Sequence, residues 1–512
     1  MRRSQDAYWT PLTCHANPLR CWRSSIESAV PVQFIFVCNH RHLYQSIRLD
    51  TTTIKAAQYF GQCDIRVVDV PAAEPQAHEA LIDIEWCGIC GSDLHEYLHG
   101  PLACPPPSNP HPATKEHIPV TMGHEFTGRV LSAPANSGLA PGTPVIVDPR
   151  IFCRSCSRCM DGHTHGCTVL GFKGLSGTGG GFSERICVDA KMCHVLPEGT
   201  DLSLATLIEP LAVAWHALAT TGLNDWANRS VLIIGGGPVG VACTIVLRAF
   251  GCKCVVVSEP TEVRQKQNKK VADVVLNPIK DDVGGRCREL TAGEGVNVVL
   301  DCAGNQKGVE AGMDALRYRG MYMNVALWLG SPMQIPFFPF MLKEITIKCC
   351  LAYNDQEFKD VVEAFVAGKF HGIESMISSK IHIDDIVEKG FEELITNKDQ
   401  HVKILTLRLV DGLSGAYYLG ASCRGEDPDA THLNQFVRVE CELLGGLTDG
   451  MRVANEYIIA LVQAFKDNYR VEVERFAGTA KHLDDMLNLY EAHENAFPII
   501  TLDDALALPE MT

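Results

Sequence analysis

Cys153, Cys156, Cys159 and Cys167 are spaced C-x2-C-x2-C-x7-C within CRSCSRCMDGHTHGC. A chain that carries this loop must fold so that four thiols converge on one point. Neighbours so close in sequence strain a disulfide, whereas metal bonds reach outward from a shared centre. Zinc is the usual occupant of a tetrahedral four-sulfur site, so the loop predicts a structural Zn2+. The sequence holds 22 cysteines in 512 residues, scattered rather than clustered. That usage fits a reducing, cytoplasmic setting better than a secreted disulfide framework.

Charge and hydropathy narrow the partners. A formal net charge of -16 argues against a nucleic acid held by phosphate contacts. The most apolar run, residues 231–247, falls just short of a membrane span and breaks at a glycine cluster. No membrane partner is expected, and the first residues lack the basic start and apolar block of a secretory signal.

The chain divides by composition. Residues 1–53 carry six Arg against three acidic residues and no clear period. Their composition admits a mitochondrial transit segment, but an unstructured extension, or translated sequence upstream of the true start, fits better. From Ile54, IKAAQYFG, IRVVDVP and ALIDIEW alternate as strands, and VIV at 145–147 follows a Pro-Gly turn, so 54–210 is β-rich. Over 211–349 apolar strands alternate with helical stretches, the signature of βαβ units on a parallel sheet. Residues 350–410 return to short mixed elements that end in the strand HVKILTLRL. In 411–512, Met451, Ala454, Ile458, Leu461 and Phe465 recur at helical spacing, as do Leu483, Met486, Leu487 and Tyr490. From residue 412 onward, seventeen acidic residues face seven basic ones, a mostly helical acidic extension without a catalytic constellation.

Three further segments offer zinc donors: CGICGSDLHEY supplies Cys90, GHEFTG supplies His124, and EPLAVAWHA supplies Glu209. A catalytic zinc takes three protein ligands from separated segments and leaves a fourth position open. Alone, His124 fits a core histidine and Glu209 a helix-start carboxylate. Beside a four-cysteine lobe, the three together point to a second metal site. Ser92 lies two residues from Cys90, close enough for its hydroxyl to reach a reacting oxygen, and His95 three residues on can pass a proton outward. A turn hydroxyl and a surface histidine are the plainer roles for those two. Asp93 and Glu125 adjoin the donors and can orient them.

Gly235-x-Gly237-x-x-Gly240, with Pro238 and Val239 between the last two glycines, follows the strand VLII and opens a helix. In that context the motif predicts a dinucleotide pyrophosphate at a helix N-terminus. Glu259 ends the next strand, CVVVSE, nineteen residues after Gly240. A carboxylate there accepts from a ribose 2′-hydroxyl and repels a 2′-phosphate, which favours NAD over NADP.

Over residues 54–410 these motifs resemble the zinc-dependent medium-chain alcohol and polyol dehydrogenases. CGICGSDLHEY, GHEFTG, EPLAVAWHA, VVVSEP and HVKIL are most similar to the 2,3-butanediol dehydrogenases, with sorbitol and xylitol dehydrogenases as near neighbours. The resemblance implies an α/β fold: a Rossmann doubly wound parallel sheet (211–349) inserted in a GroES-like β-rich catalytic domain (54–210, resumed at 350–410). It implies two Zn2+ per chain, NAD, a small alcohol or diol substrate, and homo-oligomers, dimers or tetramers. By position, Cys90 and His124 match the catalytic zinc ligands. Glu125 and Glu209 are alternative carboxylate ligands, Ser92 and His95 match the proton relay, and the four cysteines match the structural lobe. Two places depart from the family pattern. Pro134 stands where a small residue is usual, and KKVAD lacks the glycine of the common Leu-Gly-Ala-Asp.

The expected reaction is hydride transfer between NAD and a secondary alcohol or vicinal diol, 2,3-butanediol/acetoin first and a sorbitol- or xylitol-type polyol second. Two readings of other classes stand beside it. One is a thiol–disulfide oxidoreductase using Cys87 and Cys90 of WCGIC. The other is a catalytically dead zinc-binding relative acting through its acidic tail.

Overall fold

The structure is a computed structural model. It describes residues 53–328, 332–407, 415–423, 435–443 and 481–492, and scattered positions between 459 and 474. The expectation for 1–53, and most of that for 411–512, lies outside the described residues. The chain divides into two units, of which residues 49–409 form the larger.

The larger unit opens with β1 (Thr53–Gly61), β2 (Asp64–Pro71) and β3 (Glu79–Gly88), the three runs whose alternation marks them as strands. After them come β4 (Val120–Thr121), β5 (Glu125–Ser132) and β6 (Pro144–Val147). The two-residue strands β7 (Arg150–Ile151) and β8 (Gly171–Phe172) flank the cysteine lobe. They are followed by β9 (Arg185–Asp189) and β10 (Cys193–Val195). Four of these strands build one sheet in the order β10-β6-β5-β3, with β9 also pairing β3, while β2-β1-β4 form a separate sheet.

The chain then leaves this sheet for a second one. β11 (Ser230–Ile234), β12 (Cys254–Ser258), β13 (Val274–Leu276), β14 (Val296–Asp301), β15 (Leu316–Asn324) and β16 (Thr346–Cys349) are all parallel. Their order is β13-β12-β11-β14-β15-β16. Counted from β11, this is 3-2-1-4-5-6, the doubly wound Rossmann order whose direction reverses beside the first strand. SVLII is buried along its whole length because helices cover both faces of the sheet. Val231 and Ile233 enter one core cluster, and Leu232 and Ile234 the other.

β17 (Ile377–His382) and β18 (Lys403–Leu407) then return to the first sheet. β18 pairs with β3 at Trp86–Gly88, while β9 pairs with β3 at Glu79–Asp83. β5 pairs along Leu81–Gly88, so β9 and β18 share the opposite edge of β3 end to end. This closure joins residues some 320 positions apart at the end of β3, where the candidate donors gather.

In the second unit, β19 (Gly415–Cys423) and β20 (Gln435–Leu443) form an antiparallel pair that the helical periodicity of this region does not signal. The helix Lys481–Ala492 matches the Leu483 periodicity. Leu483 and Val462 are buried together, with Met486 and Leu487 packed against them. Met451, Ala454, Ile458, Leu461 and Phe465 themselves lie outside the described residues.

Candidate active site

The end of β3, the start of β5 and the start of β18 meet in register. Gly88 stands opposite both Glu125 and Leu405. A Cβ at Gly88 would come within 2.1 Å of the Glu125 carboxylate, so this position has no room for a side chain. Cys90 caps the helix Gly91–His99, directly after β3, and His124 directly precedes β5. Adjacent strand ends therefore bring a thiol and an imidazole together across 34 residues of chain. The donor atoms of Cys90, His124 and Glu125 all lie within 4.8 Å of one another.

Neighbouring groups hold these donors. Asp93 is fully buried; its Oδ2 accepts from the Cys90 N–H at 2.8 Å, and its Oδ1 lies 3.4 Å from His124 Nδ1. Burial alone would depress the His124 pKa, but Asp93 and Cys90 beside it raise it well above the ordinary value. The Ser92 hydroxyl lies 3.0 Å from His124 Nε2. His95 is on the same helix, half-buried and close to His99; burial first, and then that second histidine, lower its pKa.

The two carboxylate candidates are held differently. Lys403 Nζ, fully buried, donates to both Glu125 oxygens at 2.7 and 2.5 Å. Glu209 lies outside the donor set gathered within 4.8 Å. Its Oε1 accepts from the Tyr353 hydroxyl at 3.0 Å. Burial pushes its carboxyl up to about 7; His124 acts against that shift and Glu125 adds to it. Glu209 thus remains electrostatically close to the cluster, two buried carboxylates around one imidazole. Around this point the half-buried thiol of Cys90 and the buried carboxylates of Asp93, Glu125 and Glu209 gather about the Lys403 ammonium. Such a surplus of buried anions needs a cation, and thiolate, imidazole and carboxylate are the donors that zinc takes.

The four lobe cysteines also converge within 4.8 Å. Cys153 Sγ lies 3.5 Å from Cys167 Sγ and 4.0 Å from Cys159 Sγ. Bonds of about 2.3 Å to a tetrahedral centre place sulfurs roughly 3.8 Å apart, so the spacing fits zinc. The Ser155 hydroxyl, and then the backbone N–H groups of Ser155 and Cys156, stabilise the Cys153 thiolate, whose pKa falls to about 5.

Cys87 differs from all of these. It is enclosed in β3, and burial drives its pKa well above the ordinary value. A dithiol exchange motif needs its first thiol ionised. WCGIC does not provide that, and the thiol–disulfide reading loses its nucleophile.

At the switch point of the parallel sheet, Gly235 adopts φ +93° and Gly237 caps the helix Pro238–Ala249, with Pro238 and Val239 in its first turn. A Cβ on Gly240 would lie 1.9 Å from the Gly235 carbonyl, so only glycine lets this helix approach the strand. Glu259 is buried, with Oε2 accepting from the Gly236 N–H and Oε1 from the Thr261 N–H and hydroxyl. The Asn268 amide donates to the Gly236 carbonyl and, within its own helix, to that of Arg264. Next to the missing family glycine, a buried side chain thus ties the helix Glu262–Asn268 to the nucleotide turn. Pro134, the other departure, opens a turn: its carbonyl accepts from both the N–H and the hydroxyl of Ser137.

Sequence reasoning missed Lys403, Tyr353 and Asn268. Lys403 had one available signal, a lysine opening the otherwise uncharged strand KILTL.

Two family models match the chain: the alcohol dehydrogenase GroES-like domain over residues 76–198 and the zinc-binding dehydrogenase over 238–367. The (R,R)-butanediol dehydrogenase of Saccharomyces cerevisiae is 35% identical over 378 residues, covering 69% of this chain and 97% of the relative. The chain belongs to the zinc-dependent medium-chain alcohol dehydrogenase family. A probable D-xylulose reductase A of Aspergillus clavatus is 28% identical, covering 66% of this chain and 92% of that protein. The crystal structure of 2R,3R-butanediol dehydrogenase from Bacillus subtilis superposes with a TM-score of 0.65 at 32% identity, covering 70% of this chain and all of the other. This protein is accordingly an oxidoreductase that works with zinc and NAD on a small alcohol. Among the described residues one helical run, Leu202–Thr221, is long and apolar enough to cross a membrane, and most of its apolar window is buried inside the protein.

Proposed function

We propose that this chain interconverts a vicinal diol and its hydroxyketone, 2,3-butanediol and acetoin, with NAD. The observation that carries this reading is the thiol–imidazole–carboxylate cluster at the end of β3, in a chain 35% identical to a butanediol dehydrogenase along nearly all of that relative's length. Zinc held there supplies a Lewis acid that lowers the pKa of a substrate hydroxyl, and NAD supplies the hydride acceptor. Cys90 and His124 hold the ion, with Glu125 and Glu209 as alternating carboxylate ligands. Lys403 steadies Glu125 and Tyr353 steadies Glu209. Asp93 fixes the His124 ring. Ser92 takes the proton that leaves the substrate, and His95 carries it outward. Cys153, Cys156, Cys159 and Cys167 hold a second, structural zinc, two ions per chain.

In the nucleotide half, Gly235, Gly237 and Gly240 with Pro238 and Val239 cradle the pyrophosphate, and Glu259 takes the ribose hydroxyl. The catalytic domain spans 54–210 and 350–410, and the nucleotide domain 211–349. We further infer a cytoplasmic homo-oligomer, a dimer or tetramer. The test is NAD reduction over butanediol stereoisomers, sorbitol, xylitol and simple alcohols, with and without a chelator. Highest kcat/KM on a butanediol isomer, abolished by the chelator, supports the reading. Highest kcat/KM on xylitol or sorbitol would favour the polyol alternative suggested by the xylulose reductase relative. No turnover of any alcohol would leave the dead-relative reading.

A further inference from the structure

A second group of soft donors lies outside both zinc clusters. A cleft of about 520 Å3 separates the cysteine lobe from the helix Ile208–Thr220, the end of β16 and the start of the helix Asp355–Val366. The lobe contributes His163 and His165, the first helix His216, and β16 Cys349. The His165 and His216 rings lie 4.5 Å apart, centroid to centroid, and His163 stands edge-on to His165 at 5.8 Å.

Two details prepare this cleft for a cation. His216 Nδ1 lies 2.8 Å from Glu357 Oε2. A carboxylate only accepts, so the imidazole donates from Nδ1, which leaves Nε2 as the nitrogen that can face a ligand, with the Thr220 hydroxyl 3.4 Å away. This carboxylate–histidine pairing is how proteins orient metal-binding imidazoles. Across from it, His165 Nδ1 is buried with no hydrogen-bond partner. A buried nitrogen left unpaired costs free energy unless a ligand completes it.

We propose that the cleft is a third metal site, taking a borderline divalent cation of the zinc and nickel class. His165 and His216 are its fixed donors, and the exposed side chains of His163 and Cys349 swing in to complete the set. These donors are not already gathered within 4.8 Å, unlike the two zinc clusters, so the site fills and empties more readily than either. Its placement also gives it reach. His216 lies seven residues, about two turns, beyond Glu209 on the same helix. Glu357 follows four residues after Tyr353, the partner of Glu209. An ion in the cleft pins the lobe against both segments that position Glu209.

The test uses the tag-free full chain with its resident zinc, dialysed against Ni2+ and assayed for both metals by mass spectrometry. The expected result is a single nickel per chain in addition to the original zinc. His165→Phe keeps the ring contact but has no nitrogen, and should abolish the extra uptake. Glu357→Gln should weaken it by about 10–100-fold. His163→Ala, at an exposed position where folding is not at stake, should weaken it as well. No nickel beyond the resident zinc, nickel that only replaces zinc, or equal uptake by the wild type and all three variants would each overturn the proposal.

Discussion

The two donor clusters are built in opposite ways. In the lobe, four cysteines from one stretch of fifteen residues wrap a single point, and backbone N–H groups of the same loop point at the Cys153 sulfur. At the end of β3, Cys90, His124 and Glu125 come from two strand ends, and the groups that steady the carboxylates, Lys403 and Tyr353, come from segments that follow the parallel sheet in sequence. A local loop with four like donors closes the coordination shell. A constellation assembled by the sheet, with unlike donors, leaves one position free for chemistry. The first should therefore govern stability and the second turnover.

The strongest way to break this contrast is Cys90→Ala. Turnover should fall by at least about 10^3-fold, equivalent to roughly 4 kcal/mol of lost transition-state stabilisation. NAD binding, followed by fluorescence, and the lobe zinc should both persist. Retained activity would remove Cys90 from the reaction. Lys403→Met comes next. It leaves Glu125 buried without its partner, and breaking such a pair costs about 3 kcal/mol or more. Denaturant unfolding should show that loss, and a wild-type midpoint would mean that Glu125 has another partner.

Cys156→Ser tests the other cluster. One zinc should be lost and the protein destabilised by about 2–3 kcal/mol, while kcat at low temperature stays near wild type. Equal damage to turnover and stability would dissolve the distinction between the two sites. Smaller still is the cofactor effect: Glu259→Ser should weaken NAD and relieve discrimination against NADP, together about tenfold in the kcat/KM ratio. An unchanged ratio would leave Glu259 only its hydrogen bonds to Gly236 and Thr261.

The smallest effect concerns His95. Burial and then His99 hold its pKa below that of a free imidazole, so it takes up a proton only in more acidic solution than an ordinary histidine. If it relays protons, activity should decline with acid through that lowered pKa, and His95→Asn should flatten this limb with a loss of a few-fold. An unaltered acid limb in the variant would assign the decline elsewhere.

What could be read without the structure follows the same division. The lobe was legible because its information is contiguous: fifteen residues carry every donor. The nucleotide turn was legible for a similar reason, since the run VLII, the glycines and Glu259 lie within one βαβ unit. The catalytic donors could be named, but not the choice between Glu125 and Glu209, because that depends on Lys403 and Tyr353. Lys403 meets Glu125 across 278 residues and Tyr353 meets Glu209 across 144. No local periodicity encodes such pairings; the first arises when β18 closes onto β3, and the second when the helix Asp355–Val366 packs against the helix Ile208–Thr220. Asn268 escaped notice for a related reason, since its value lies in a carbonyl 32 residues away on the nucleotide turn.

Zinc-edge anomalous diffraction from crystals of the full chain tests the contrast most directly. Two peaks are expected in each chain, one among Cys153, Cys156, Cys159 and Cys167, the other between Cys90 and His124. A peak in the lobe alone, from zinc-saturated protein that still oxidises a diol, would contradict the account.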